Sequence, residues 1–372
     1  MEMLFKQIEE KRRRLDKLTS IERIHLLLIG RQIDRVPLFP FGLSCGTGWF
    51  CAKNMGFPIQ SACEDPEKSF FSQQETQKQF GYDSSPILSY ASHGAWEFGG
   101  DIKFPATELD QAPQVIRHPC KTVEDVKKLK LPDVKTAGIL PLVMKFSRLQ
   151  EERSLLPITF PCGSPFSYAG NIVGIDQLCR WVIKEPDCVH MLLRLCTDHI
   201  LQVAEYWIET FGPERMVAHE ILPFESNMVI SKKHFVKFAL PYLMELHNSI
   251  LDMKIKRFFS HICGEQKFNL AQLEQIPMGE RSIVSFGPEV SLTTAIEHFG
   301  DRCIIAGNID PTALQNGTFR EVYDLSRKCI EEAKFSPCGF ILAPGCDLSP
   351  ITPQENIYAM MEAVLDFGYY DA

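Results

Sequence analysis

The side chains in this sequence whose types and spacing could do chemistry together are His261, Cys263 and Cys346. The first two close the apolar run 257–260, and Cys346 follows the apolar run 339–344. Because a strand alternates its side chains between two faces, residues 261 and 263 point the same way. One imidazole and two thiolates suit zinc, and three protein ligands leave a fourth position for a water, a weak ligand or a substrate thiol. The spacing therefore predicts a catalytic zinc centre.

Zinc at these residues would change the chemistry of a bound thiol. A free thiol has a pKa of ~8.5, whereas a metal-bound thiol is held as the nucleophilic thiolate at neutral pH. The metal could instead polarise an oxygen and assist a leaving group. Glu289 is a candidate fourth ligand, although an exposed loop carboxylate is the simpler interpretation of that residue. The structural alternative for the whole set is a core histidine near inert buried thiols. The thirteen scattered cysteines favour this alternative, because in a cysteine-rich chain most cysteines are buried core residues.

Strand and helix patterns alternate along most of the chain. Buried strands are predicted at 156–161, 215–220, 257–263, 282–286, 303–306 and 340–343, with helices between them at 175–183, 186–211, 232–254, 267–275, 292–299 and 314–333. Sequential strand-then-helix units imply a parallel sheet, and about eight such units imply closure into a barrel. We therefore expect an α/β fold, a single (β/α)8 TIM barrel domain over residues 1–372, with residues 1–30 as an N-terminal helical extension.

Polar side chains cluster directly after these strands, at the rim where catalytic residues converge in a (β/α)8 barrel. Glu220, next to His219, could accept a proton or hold a substrate amine or hydroxyl, and a structural carboxylate is an equally weighted alternative. Asn308 is a candidate for binding polar ligand groups. Asp310, by contrast, is predicted to be the N-cap of a helix with Pro311 at its first position.

Composition excludes several classes of function. The 372 residues carry a net charge of 39 − 47 = −8, which disfavours nucleic-acid binding. We expect no membrane span, because no apolar run is long enough, and no signal peptide, because charges interrupt the N-terminal segment. The scattered cysteines form no C-x-x-C pair, which favours a cytoplasmic location with reduced thiols. The chain also lacks the glycine motifs of dinucleotide and phosphate-binding loops.

Motifs along nearly the whole chain are similar to those of the uroporphyrinogen decarboxylase superfamily. They are Gly30-Arg31 with Asp34-Arg35-Val36-Pro37, Phe80-Gly81-Tyr82-Asp83, Gly163-Ser164-Pro165-Phe166, Ile230-Ser231-Lys232, His261-Ile262-Cys263-Gly264, Gly307-Asn308-Ile309-Asp310-Pro311 and Gly345-Cys346-Asp347. The family fold is the (β/α)8 barrel, in agreement with the expectation from the strand and helix pattern.

The resemblance favours one branch of that superfamily. Decarboxylases carry an arginine-bearing stretch after the first strand, but residues 39–45 here contain no arginine. The decarboxylase tyrosine aligns with Asn171 and its late histidine with Cys346. Zinc-dependent corrinoid methyltransferases instead carry an H-x-C…C zinc motif, which this chain has. The resemblance therefore implies zinc bound by His261, Cys263 and Cys346, and a corrinoid (cobalamin) carried by a partner protein.

The leading hypothesis from the sequence is a methyltransferase that moves a methyl group between a corrinoid protein and a small-molecule donor or acceptor. The small molecule would be a thiol such as coenzyme M, or a methoxyl or methylamine compound. Glu220, Asn171 and Asn308 would orient it. One alternative is porphyrinogen decarboxylation, and another is a non-catalytic barrel that binds a corrinoid or porphyrin. Donor, acceptor, direction of transfer and oligomeric state are left open.

Overall fold

The computed structural model describes residues 2–40, 47–107, 110, 113–153 and 157–370. Its helices are α1 Glu2–Leu15, α2 Ser20–Leu28, α3 Thr47–Asn54, α4 Ile59–Glu64, α5 Pro66–Phe80, α6 Val123–Lys128, α7 Leu140–Glu152, α8 Pro165–Val173, α9 Ile175–Lys184, α10 Pro186–Phe211, α11 Lys232–His234, α12 Leu240–Asp252, α13 Leu270–Leu273, α14 Leu292–Phe299, α15 Pro311–Asn316, α16 Phe319–Ala333 and α17 Gln354–Phe367. Its strands are β1 Asp101–Lys103, β2 Gln114–Arg117, β3 Ile158–Pro161, β4 Met216–Leu222, β5 Phe258–Ile262, β6 Ile283–Phe286, β7 Ile304–Ile309 and β8 Phe340–Pro344.

The chain divides into two compact units. The first unit contains residues 1–87, 107–111 and 280–372, and the second contains residues 88–106 and 112–279. A single barrel domain over the whole chain stays a prediction.

The second unit is built on three parallel strands, β3, β4 and β5. All residues of these strands are buried, as expected for a parallel sheet covered by helices on its outer side. The long helix α10 packs on α8, α12 and β3. The segment between residues 97 and 120 includes the antiparallel pair β1 and β2.

The first unit continues the same plan. Strands β6, β7 and β8 are parallel, and the irregular segment 36–39 lies beside β8 through a parallel bridge between Leu38 and Leu342. The chain at Asp83 lies on the other side of segment 36–39, because Asp83 N donates to Leu38 O at 2.9 Å. This unit therefore contains five extended chain segments side by side, three of which are strands. The predicted α/β class is confirmed.

Local chemistry explains two differences from the predicted helices. The helix predicted over 232–254 contains a π-helical turn, Phe235–Ala239, directly before Pro241. Proline has no N–H to donate, so the turn before it widens and α12 restarts there with Pro241 in its first turn. The helix predicted over 314–333 is two helices, since α15 ends before Gly317 and the capping box of Thr318 and Glu321 starts α16. No helix of the described residues is both long and apolar enough to span a membrane.

A buried ion network holds the first unit together. Asp83 accepts from Arg23 Nη1 at 2.6 Å and from Arg35 Nη1 at 2.8 Å, and all three side chains are fully buried. Arg23 also donates twice to Asp34, and Arg35 donates to Asp16 at 2.7 Å. Burial alone would raise the pKa of Asp83, but the two guanidinium groups hold that pKa below its ordinary value. The network therefore ties α1, α2, segment 36–39 and Asp83 to one another.

We expect Asp83→Ala to lower the free energy of unfolding by ~3–5 kcal/mol, because it leaves two buried guanidinium groups without their shared carboxylate. Urea unfolding measures the loss. Glu75→Ala is the control, since its ion pair with Lys78 is exposed and should contribute less than ~1 kcal/mol. Equal effects of the two substitutions would contradict a structural role for the network.

Candidate metal centre and its pocket

His261 and Cys263 lie at the carboxyl end of β5. His261 is the fourth residue of this strand and only 1% exposed. Cys263 follows the last strand residue and is half-buried. In the parallel ladder, His261 pairs with Ile221 of β4, and paired residues on neighbouring strands share a face. The imidazole therefore lies on the same face of the strands as Ile221.

Cys346 follows β8 and is also half-buried. Its neighbour Gly345 donates its N–H to Ile309 O at 2.8 Å, which continues the pairing of β7 and β8 past the strand end. A side chain at position 345 would meet Pro288 at 2.6 Å, so the loop needs a glycine there. The strand pairing thus fixes the backbone directly before the thiol.

The structure brings the three predicted ligands together. One ligand atom from each of His261, Cys263 and Cys346 lies within 4.8 Å of the other two. An imidazole nitrogen and two thiol sulfurs at such distances match the donor set that zinc takes in proteins. Glu289 is exposed and is not a member of this group. The exposed-carboxylate interpretation of that residue is the one the structure favours.

A pocket in the second unit lies against β4. It is on the face of the strands β4 and β5 that also carries His261. His219 and Ile221 line it, as the alternation of side chains along β4 requires. The other lining residues come from the loop after residue 88 and from the start of α8; they are Ser89, Tyr90, Ala91, His93, Gly163, Ser164, Ser167, Tyr168 and Asn171. The pocket wall therefore carries two imidazoles and several hydroxyl groups close to the strand that supplies a predicted ligand.

Tyr168 explains the small residues around this pocket. A side chain at Gly163 would meet the Tyr168 ring at 2.6 Å, and one at Gly94 would meet it at 2.9 Å. Both glycines have positive φ, +61° and +94°, which glycine adopts without strain. The group that approaches the backbone of the loop after β3 is therefore the tyrosine ring.

Asn171 shapes the pocket through the backbone. Its Nδ2 donates to Ala91 O at 2.7 Å and to His93 O at 2.8 Å. Its own carbonyl oxygen lies 2.7 Å from His118 Nδ1. The amide thus holds the loop that carries His93, and it lines the pocket as a positioning group.

Asn308 has a similar role in the first unit. Its Nδ2 donates to Val290 O at 2.7 Å and to Gly287 O at 3.3 Å, and it thereby holds the loop after β6. Asp310 accepts from Thr312 N at 2.8 Å as the N-cap of α15, which confirms the structural interpretation of that residue. Ligand binding by Asn308 stays a prediction.

Glu220 faces away from the pocket, because it alternates with His219 and Ile221 along β4. Its carboxylate lies 3.0 Å from His247 Nε2 on α12 and accepts from Ser260 Oγ at 2.6 Å. Both carboxylate oxygens are therefore engaged between the strands and the surrounding helices. These contacts favour the structural alternative, and orientation of the substrate by Glu220 stays a prediction.

Glu225 is a buried acid that the sequence reading passed over. Ser167 Oγ donates to it at 2.8 Å, and Ser164 Oγ is its other hydroxyl partner. Burial raises the pKa of Glu225 to about 7 against these hydrogen bonds. The carboxyl thus connects the loop after β4 with two serines of the pocket wall. The sequence feature that could have indicated Glu225 is its position shortly after the strand predicted at 215–220.

His93 and Glu97 form a second group that the sequence reading missed. His93 Nδ1 lies 3.0 Å from Glu97 Oε1, and Gly94 N donates to Glu97 Oε2 at 2.8 Å. The only signal in the sequence was the position of His93 a few residues after the apolar run 86–88.

Comparison with known proteins decides the family. Residues 19–367 match the uroporphyrinogen decarboxylase (URO-D) family. The chain belongs to this family. It is 27% identical over 354 residues to the methylcobamide:CoM methyltransferase MtbA of Methanosarcina acetivorans, covering 94% of this chain and 99% of that protein. It is 23% identical over 318 residues to the uroporphyrinogen decarboxylase of Homo sapiens, covering 82% of each chain.

A solved structure supports the fold. A methyltransferase from Methanosarcina mazei superposes with a TM-score of 0.78 at 21% identity, covering 94% of this chain and 99% of that one. Together with the family match, this confirms the predicted α/β barrel class. The predicted resemblance to the methyltransferase branch of the family is confirmed by the relatives' names. Residues 41–46, most of the stretch that lacks the decarboxylase arginine, lie outside the described residues.

We expect Glu220→Ala to lower the free energy of unfolding by ~2–3 kcal/mol, because it leaves His247 and Ser260 buried without their carboxylate partner. The metal content of the folded variant should equal that of the unchanged protein. Urea unfolding and elemental analysis measure the two quantities. Loss of bound metal at unchanged stability would show instead that Glu220 takes part in the site.

We expect Glu225 to make the protein less stable as the pH rises. The folded-state pKa of about 7 exceeds the ordinary value of 4.5, so the folded state binds the proton more tightly and stability falls between these two pH values. The fall should be about 3 kcal/mol if the shift is fully expressed. Glu225→Gln should flatten the pH dependence in that window, as measured by urea unfolding at a series of pH values. An unchanged slope would show that Glu225 does not titrate there.

Proposed function

We propose that this protein is a zinc-dependent methyltransferase that moves a methyl group between a corrinoid protein and a small thiol. The observation that carries the proposal is the group formed by His261, Cys263 and Cys346 in a chain aligned over nearly its whole length with a methylcobamide:CoM methyltransferase. The family also contains decarboxylases, so the ligand group discriminates between the two branches.

The three residues fit a zinc ion by donor type. Two thiolates and one imidazole bind this metal in proteins, and three protein ligands leave one position for an exchangeable molecule. When bound, zinc would lower the pKa of a coordinated thiol, so that the thiolate is available at neutral pH. The chain's own contribution is positional: the pairing of β5 with β4 holds the imidazole, and the pairing of β7 with β8 holds the backbone before Cys346.

The pocket beside β4 has a volume of about 10 Å³, enough for one small group of the thiol substrate and not for its whole body. Ser89, Ser164 and Ser167 present hydroxyl groups, and His93 and His219 present imidazoles. These groups can orient a small polar molecule by hydrogen bonds. Such positioning matters for methyl transfer, because the sulfur must meet the methyl carbon in line with the bond that breaks.

Coenzyme M is the thiol we propose first, because it stands in the names of the relatives. A methoxyl or methylamine donor would run the transfer in the opposite direction and uses the same metal ligands. Cobalamin carried by a partner protein is the expected methyl carrier in either direction.

We expect protein purified without added metal to contain about one zinc per chain, because the three ligands form a single group. Cys263→Ser and Cys346→Ser should each remove most of it, since serine is a poor ligand for zinc. Elemental analysis measures the content. Cys179→Ser is the matched control, because Cys179 is also a partly exposed free thiol but is not in the ligand group. Unchanged zinc in either ligand variant would remove that cysteine from the site.

An activity assay separates the candidate functions. We expect zinc-loaded protein to catalyse demethylation of methylcobalamin by coenzyme M, followed by the absorbance change of the corrinoid. Cys263→Ser should lower the rate at least about 100-fold, while Cys179→Ser should not change it. Carbon dioxide release from uroporphyrinogen would instead establish a decarboxylase. Corrinoid binding with neither activity would favour a carrier.

A further inference from the structure

A groove in the first unit lies at the amino ends of strands β6 and β8. Its volume is about 520 Å³, which is within the range of small-molecule sites in proteins. Its walls come from the end of α2 with the turn after it, from Arg281 before β6, from the turn between α16 and β8, and from Tyr370. Cys346 follows the other end of β8, and the five residues of this strand span ~16 Å. The groove is therefore at the opposite end of β8 from the predicted metal ligand.

Three cations line the groove, and no acid is among its lining residues. The cations are Arg31, Arg281 and Lys334. Among the described residues, no carboxylate lies within ion-pair distance of these three side chains. Elsewhere in the same unit, the buried guanidinium groups of Arg23 and Arg35 are each paired with aspartates. The groove thus carries positive charge that no paired carboxylate balances.

Neutral carbonyl groups hold two of the three cations in place. Arg281 donates to two carbonyl oxygens, one of which is Leu27 O at 2.9 Å from Nε. Lys334 Nζ donates to Phe367 O at 3.1 Å and to Tyr369 O. Because a guanidinium has five N–H donors and an ammonium has three, both side chains keep donors for a bound anion. The carbonyl groups fix the positions of these cations without neutralising them.

Ser336 adds an unpartnered hydroxyl group to the same wall. The residue is 8% exposed, and its Oγ is buried without a hydrogen-bond partner among the described residues. A buried polar group without a partner costs free energy, so each such group in a folded protein needs an explanation. Ser336 lines the groove together with the three cations. An anion with several acceptor oxygens would satisfy the hydroxyl and the cations at once.

An exposed aromatic ring borders these donors. Phe335 lines the groove and is 81% exposed. The ring of Tyr370 lies edge-on to it, with the ring centroids 6.3 Å apart, and Tyr370 Oη donates to Lys334 O at 3.1 Å. A flat ring of a ligand that stacks on Phe335 would remove both apolar faces from water. The groove therefore suits an anion that is attached to a flat body.

We propose that this groove binds a small phosphomonoester with a flat ring, of the nucleoside monophosphate class. A phosphate group carries about two negative charges at neutral pH and has three strong acceptor oxygens. These match the two guanidinium groups, the ammonium and the hydroxyl of the wall, since charge-assisted hydrogen bonds are the strong ones. The inference requires neither zinc nor methyl transfer, so its outcome is independent of the proposed function.

Calorimetric titration of adenosine 5′-monophosphate (AMP) into the protein tests the site. We expect saturable binding at a single site. Arg31→Gln and Ser336→Ala should each weaken it about 10-fold, because each removes a hydrogen bond to a charged group. Neither substitution removes a side-chain hydrogen bond within the described residues. Arg14→Gln is the matched control, because Arg14 is also exposed and the charge change is the same, but it does not line the groove.

Two further titrations locate the phosphate and test the role of the ring. Cys263→Ser should bind AMP as tightly as the unchanged protein, because Cys263 belongs to the ligand group and not to the groove. Inorganic phosphate should compete with AMP but bind more weakly, since it has no ring to stack on Phe335.

Each contrary result overturns a stated part of the proposal. Absence of AMP binding would overturn the site. Equal weakening by Arg31→Gln and Arg14→Gln would also overturn it, by showing general attraction to surface charge. Loss of binding in Cys263→Ser would place the phosphate at the metal centre instead, and equal affinities for AMP and inorganic phosphate would overturn the choice of a flat-ringed ligand. If Ser336→Ala does not fold, as judged by circular dichroism, Arg31→Gln carries the test, because Arg31 is exposed.

Discussion

The buried carboxylate of Asp83 is the interaction on which the first unit depends. It accepts hydrogen bonds from Arg23, from Arg35 and, at 2.9 Å, from the backbone N–H of Leu38. The last of these fixes the segment 36–39, which pairs with β8. Strand β8 ends immediately before the loop that carries Cys346. A carboxylate that is not in the ligand group thus fixes the strand that positions one of the predicted ligands.

Alternation of side chains is the corresponding constraint in the second unit. Along β4, His219 and Ile221 face the pocket, whereas Glu220 faces the helices. The ladder extends this division to β5, where Ser260 bonds to Glu220 and His261 shares the face of Ile221. A shift of one residue in register would exchange the two sets. The two buried hydrogen bonds of Glu220 hold the register and so support the position of His261.

The sequence predicted the elements whose pattern is local. The strands and most helices have clear apolar periodicity, and the N-cap of α15 follows from Asp310 and Pro311 alone. The ligand group could be predicted because two of its members are two residues apart on one strand and the third follows another strand. The direction in which Glu220 points depends on which residue of an adjacent pair faces the helices, and that requires the helix α12 with His247. The pattern of β4 by itself leaves both orientations open.

The groups that the sequence reading missed are those made by loops. Glu225 accepts hydrogen bonds from Ser164 and Ser167, which are more than fifty residues away in the chain. No local sequence pattern predicts such a contact. His93 and Glu97 are four residues apart, but an i,i+4 pair of this kind is common on any exposed helix. What distinguishes this pair is its burial and the pocket that His93 lines. Both facts arise only when α8 packs against the loop after residue 88.

The charge of the pocket wall bears on the choice between the two branches of the family. Its lining residues include no arginine or lysine within the described part of the chain. A porphyrinogen with eight carboxylates would lose much of its hydration there without cations to replace it, and such a cost is large for each unpaired charge. A small thiol carries at most one or two charges, and its polar groups match the hydroxyls and imidazoles of the wall. A wall of hydroxyls and imidazoles without cations therefore supports the proposed thiol over a substrate with many carboxylates.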